Sequence, residues 1–84
     1  MTMITRQIVG YDPNTQRAAF EFDIRPDRWG KVLSLVRNNK KDPYYFYNYP
    51  IDVSLANDIL GMAGKEGTRV AHNLNYFLEC ETAD

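Results

Sequence analysis

The chain has one cysteine, one histidine, one tryptophan, four prolines and five glycines in 84 residues. Each scarcity removes a class of function. A single thiol, Cys80, excludes an internal disulfide framework and suits a reducing compartment. With His72 the only imidazole, no zinc-type ligand pattern can be assembled, so no metal and no cofactor are expected. Cys80 lies between Glu79 and Glu81, whose charges raise a thiol pKa, the opposite of nucleophile activation. The densest glycines, Gly61, Gly64 and Gly67, fall at a helix end. A phosphate cradle needs N–H groups converging at a helix start. The pairs Glu21/Asp23 and Glu79/Glu81 lie two apart on strands, and a solvated sheet face accounts for them. No cluster carries catalysis, so no enzyme is expected. No basic segment followed by an apolar one opens the sequence, and no apolar run approaches the ~20 residues of a membrane helix. A cytoplasmic, soluble protein is the expectation.

What remains is one domain, residues 1–84. A chain this short buries only about 60–65% of its unfolded surface. The formal net charge of −1 conceals an uneven distribution. Residues 1–41 carry eight Lys/Arg against four acids, giving +4; residues 42–84 carry two against seven, giving −5. The acidic end, ECETAD, favours a basic partner and disfavours nucleic acid.

Met3 to Tyr11 reads as a strand, with Ile4, Ile8 and Val9 apolar. Asp12-Pro13-Asn14-Thr15 carries turn chemistry. From Arg17 to Ile24 the residues alternate: Ala18, Phe20, Phe22 and Ile24 on one face, Glu21 and Asp23 on the other, the period of a half-buried strand. Pro26 suits the first position of a helix. Trp29, Val32, Leu33 and Val36 make one helical face, which should run on to Asn38-Asn39. Asp52 can cap a second helix, whose stripe is Leu55, Ala56, Ile59, Leu60 and Ala63, with Gly64 at a left-handed C-terminal position. Lys65 to Asn73 reads as a loop and Leu74 to Glu81 as a last strand. The order ββααβ gives an α+β fold: a three-stranded antiparallel sheet with both helices on one face. The last strand pairs with one member of the hairpin, and the pattern fits either.

The strongest signal is DPYYFYNYP, Asp42 to Pro50, which holds five of the eleven aromatic side chains. Two prolines bracket it and disfavour helix. So small a domain cannot bury five rings from one loop, so some should face water. Phe46, without a polar tip, is expected inside, and Trp29 in the core. Exposed, stiff tyrosines suit a contact surface. The residues expected to contact a partner are Tyr44, Tyr45, Tyr47 and Tyr49 as anchors, with Asp42, Asp52, Glu79 and Glu81 as charges.

The chain resembles the small bacterial immunity proteins of contact-dependent growth inhibition and related polymorphic toxin systems. The resemblance rests on a hairpin around D-P-N-T, an apolar helix, Asp42-Pro43-Tyr44-Tyr45 with Tyr49-Pro50-Ile51, a short helix, and a closing N-Y-F-L-E strand from Asn75 to Glu79. It spans nearly the whole chain. It implies an antitoxin that neutralises a cognate toxin domain, often a nuclease, by protein–protein interaction in the cytoplasm. Carboxylates facing a basic groove and aromatic anchors are compatible with that role. A small RNA-binding or regulatory module is the alternative, since aromatics can stack bases and Arg37, Lys40 and Lys41 precede the loop. The loop itself has no basic residue and the pI is about 5.7, so neither direct nucleic-acid binding nor a membrane partner is expected.

Overall fold

The computed structural model describes residues 3–64 and 70–83. β1 (Met3–Tyr11) and β2 (Ala18–Ile24) form the expected hairpin. Its turn closes as the sequence requires: the Asn14 amide donates to Asp12 Oδ1 at 2.8 Å, and the Asp12 amide to the Arg17 carbonyl at 2.9 Å. Gly10 faces Phe20 while Tyr11 faces Ala18, so Ala19 is the extra residue of a β-bulge. β4 (Asn75–Ala83) pairs antiparallel with β1 along its whole length, which settles the partner of the last strand.

The sheet has four strands, not three, in the order β2-β1-β4-β3. The added strand, β3 (Tyr49–Ile51), pairs with Leu78, Phe77 and Tyr76 of β4. Its centre is Pro50, which has no N–H to donate, so it can stand only at an edge. Two prolines that read as brackets of a loop thus enclose a loop whose last turn enters the sheet.

Pro26–Arg28 forms a single 3-10 turn leading into α1 (Trp29–Leu33). This helix is much shorter than the stripe to Asn38 suggests. Beyond Leu33 the amides of Leu35 and Val36 donate three residues back, each at 3.1 Å. Ser34 Oγ donates to the Lys31 carbonyl at 2.6 Å, competing with the helical pattern. The apolar stripe survives the tightening, with Val32 and Val36 both buried. α2 (Val53–Met62) is capped as expected: Asp52 Oδ1 accepts the Leu55 amide at 2.7 Å, and Gly64 follows with φ +93°. Ala56, Ile59, Leu60 and Ala63 are buried, and Leu55 is half-buried. Val70, at the far side of the α2–β4 connection, donates to Asn57 Oδ1 on α2 at 2.9 Å. Residues 65–69 of the loop expected there, and Asp84 of the acidic end, lie outside the described residues.

The core joins Ile8, Ile24 and Leu78 of the sheet's inner face to Val32, Val36, Ile59 and Leu60. Both helices therefore cover one face of the sheet. Gly10 belongs to that face because Tyr76 lies across from it. A Cβ there would meet Tyr76 Cε1 at 2.6 Å, and that ring is tied down by its hydroxyl, which donates to the Ala71 carbonyl at 2.7 Å. Gly10→Ala is expected to cost roughly 1–3 kcal/mol by overpacking, read from urea unfolding.

Candidate functional site

The aromatic segment leaves α1 as a tight loop organised from inside by two charged side chains. Asp42 is 3% exposed. Its Oδ1 accepts the Phe46 amide at 2.8 Å, and its Oδ2 accepts the Tyr47 amide at 2.8 Å and the Tyr49 hydroxyl at 2.6 Å. Its carbonyl accepts from Asn38 Nδ2 at 2.9 Å. Burial pushes the Asp42 carboxyl pKa up. The Tyr49 hydroxyl, the two amides and the positive field of Arg6 outweigh that effect, and the net shift is downward. Tyr49, desolvated and donating to this carboxylate, is shifted up. As a partner contact Asp42 is thus occupied: its charge serves the loop's own backbone.

Arg6 does the complementary work. It sits on β1 with its side chain on the inner face, 6% exposed. Nη1 donates to the Tyr45 carbonyl and Nη2 to the Tyr44 carbonyl, both at 2.7 Å. The guanidinium carbon lies 5.0 Å from the centroid of the Trp29 ring and 5.9 Å from that of Phe46. One side chain therefore ties the first strand, the first helix and the aromatic loop together. Nothing in the functional reading of the sequence singled Arg6 out. The signal was its place at an even position of β1 between Ile4 and Ile8, a cation on an apolar face, which can be buried only if partnered.

The five rings divide. Tyr45 turns inward: its hydroxyl donates to the Val36 carbonyl at 2.8 Å, and its ring meets Tyr49 edge-on at 5.7 Å. Its φ of +59° is uncommon for a bulky residue and is held by Arg6 on its carbonyl and by its amide donating to the Asp42 carbonyl at 3.3 Å. Tyr45 and Tyr49 are frame. Tyr44 is 69% exposed, Tyr47 51% and Phe46 45%. Phe46, expected inside, is a surface ring: its amide is captured by Asp42, and its side chain lies over the Arg6 guanidinium instead of entering the core. Tyr44 and Phe46 lie 6.2 Å apart in a tilted pair. Trp29 behaves as expected, half-buried against the core with Nε1–H donating to the Ile24 carbonyl at 2.8 Å.

The remaining expected contacts lie elsewhere. Asp52 is exposed and engaged as the α2 cap. Glu79 and Glu81 project from the sheet's outer face, away from the helices. Glu81 is exposed, but Glu79 is only 9% exposed and accepts from the Tyr11 hydroxyl at 2.5 Å. Tyr11 also meets Phe77 edge-on at 5.7 Å. The hydrogen bond to Glu79, desolvation, and the charges of Glu79, Glu21 and Glu81 push the Tyr11 phenol up to about 12. With its folded pKa raised, Tyr11 contributes stability that is complete below the ordinary phenol range and lost as pH rises through about 12. Glu79→Gln should return that value toward ~10, measured by NMR titration of the tyrosine ring carbons.

Compared with protein-family models, with curated proteins and with solved structures, the chain matches none of them. The site must therefore be read from its own residues. Among the described residues no group of three or more His, Cys, Asp or Glu side chains could hold a metal ion. His72 is exposed in the approach to β4. Cys80, beside Arg6 in the β1–β4 register, has its thiol pKa raised, chiefly by burial and also by Asp42 and Glu81, against a lowering effect from Arg6. No described helix is long and apolar enough to cross a membrane. What the geometry offers is an outward pair of rings, Tyr44 and Phe46, with a third exposed ring, Tyr47, on the same loop, whose backbone Arg6 and Asp42 hold.

Proposed function

We propose that this chain is a non-catalytic binding protein that uses the Tyr44–Phe46–Tyr47 surface to grip a partner protein, and that its role is neutralisation of a cognate toxin domain in the cytoplasm. The carrying observation is the contrast within one loop. Its backbone is held by Arg6 and Asp42, while the rings of Tyr44, Phe46 and Tyr47 stay exposed at the surface. Rings already ordered lose little freedom when covered, which is where interface anchors draw their energy. The immunity assignment, with a nuclease as the class of toxin, rests on the resemblance of the D-P-x-Y…Y-P-I stretch and its flanking elements.

The test is co-expression with the toxin domain encoded beside the chain's own gene, together with calorimetry of the purified pair. Wild-type protein should restore growth. Tyr44→Ala and Tyr47→Ala should each weaken binding by roughly 2 kcal/mol or more if central, with melting temperature unchanged. Absence of any toxin-like neighbour, or full protection by the double variant, removes the reading.

One observation favours a second reading. Lys40 and Lys41 are exposed immediately before the outward rings, while Asp42 is withdrawn inside. Cations beside stacking surfaces suit single-stranded RNA. Salt-sensitive RNA retention that Lys40→Glu/Lys41→Glu abolishes would establish this reading in place of the first.

A further inference from the structure

Where β2 ends, the inner side of the sheet holds a pocket. The β1–β2 register starts with Arg6 opposite Ile24, and Met3, Ile4 and Thr5 pair with β4 alone. After Ile24 the chain turns away at Pro26, whose ring fixes φ, into the 3-10 turn. Trp29 Nε1–H reaches back to the Ile24 carbonyl at 2.8 Å and holds that turn against the strand. The space enclosed is about 270 Å³, walled chiefly by Ile4, Arg6, Ile24, Pro26 and Trp29.

Four of those walls are apolar and the fifth is a cation. Burial strips a guanidinium of its hydration, so an anion normally lies against it. Arg6 is 6% exposed, yet it forms no ion pair among the described residues. Its terminal nitrogens donate to two neutral carbonyls. Its Nε–H is closed off from water and donates to no described group. Asp42 feels the field of Arg6, but both Asp42 oxygens are taken by two amides and a hydroxyl. The guanidinium is left with one donor unused and no anion in contact. At the pocket's rim stand Asp23 and Arg25, both exposed, with Arg25 engaged by Asp27 at 3.3 Å. Asp23 repels a multiply charged anion such as a phosphate ester. A single negative charge on an apolar body is the chemistry that matches, and the volume limits that body to one ring or a short chain.

We propose that this pocket binds a small monocarboxylic acid, with its ring or chain against Ile4, Ile24 and Trp29 and its carboxylate on the Nε–H of Arg6. Contact with Nε takes a side-chain shift at the wall, which the half-buried Ile4 can make. The apolar walls hold the body, and the charge-assisted hydrogen bond selects the acid. None of the walls belongs to the aromatic loop, so the site does not depend on the role proposed for that loop.

The experiment titrates isotope-labelled full-length protein with phenylpropionate, and with phenylpropionamide as its uncharged isostere, at low salt. The acid should move the Arg6 Nε–H and Trp29 Nε1–H resonances saturably, with submillimolar affinity, and bind about tenfold tighter than the amide. Ile4→Trp, which sets a larger ring in the pocket, should weaken binding at least about tenfold while the melting temperature holds. Arg25→Gln should cost no more than about twofold, because that cation is exposed and already engaged. Tyr44→Ala/Tyr47→Ala should bind the acid as wild type does, so failure here and failure of the aromatic-loop reading are told apart. Equal affinity for acid and amide, no saturable shift at millimolar acid, shifts that Ile4→Trp leaves in place, or a preference lost in Arg25→Gln overturns the proposal. So does tighter binding of a short peptide ending in phenylalanine, which would make a chain terminus the occupant.

Discussion

Arg6→Met is expected to lower the unfolding free energy by about 2–3 kcal/mol and to release the aromatic loop. Methionine keeps apolar bulk between Trp29 and Phe46 but donates nothing to the carbonyls of Tyr44 and Tyr45. Two charge-assisted hydrogen bonds would stabilise by more than this in isolation. Removing a desolvated cation, whose Nε has no partner among the described residues, offsets part of the loss. Arg6→Lys should recover less than half, because an ammonium cannot fork across two neighbouring carbonyls. Urea unfolding gives the first number. Amide exchange gives the second: Phe46 and Tyr47 should lose protection while the β1–β4 amides keep theirs. Unchanged stability with a protected loop would show that the guanidinium is incidental.

The second large effect is at Asp42. Asp42→Asn preserves shape but leaves one acceptor oxygen where two now serve two amides and a hydroxyl. The incoming NH₂ would face a donor, leaving a buried N–H or O–H unpaired. The melting temperature should fall by roughly 5–10 °C, and partner binding through Tyr44, Phe46 and Tyr47 should weaken as well, although none of those side chains is altered. Acid reports the same interaction. The folded-state pKa of Asp42 is depressed, so its stabilisation is present above the ordinary carboxylate range and lost as pH falls through the lowered value. Wild-type protein should therefore lose stability below about pH 4 more steeply than Asp42→Asn. Equal slopes in acid unfolding would remove the carboxylate from this role.

Much of the scaffold was legible because it follows from local rules. Alternation from Ala18 to Ile24 identified a strand with one wet face. Asp12 declared the hairpin turn, and Asp52 with Gly64 bounded α2. The misreadings share a cause: they depend on atoms brought from elsewhere in the chain. β3 exists because β4 supplies a ladder for Tyr49–Ile51, and no property of a tyrosine–proline–isoleucine run announces that. α1 stops early because Gly30 and Ser34 weaken a helix whose stripe alone would have continued. In the site, the excess of rings did announce an exposed surface, but not which rings. Phe46 is outside and Tyr45 inside because Asp42 and Arg6 fix the backbone there, and burial follows the backbone before it follows hydrophobicity. The charges expected around the rings are dispersed: Asp42 inward, Asp52 on a helix, Glu79 and Glu81 across the sheet. Arg6 alone was marked by pattern, through its place among the apolar residues of β1.

The loop's frame grips main-chain atoms almost exclusively: two carbonyls by Arg6 and two amides by Asp42. The side chains at 44 and 47, unlike that of Phe46 over Arg6, therefore contribute little to holding the loop's backbone. Such a display can be rewritten residue by residue to track a changing target, while the apparatus that presents it stays as it is.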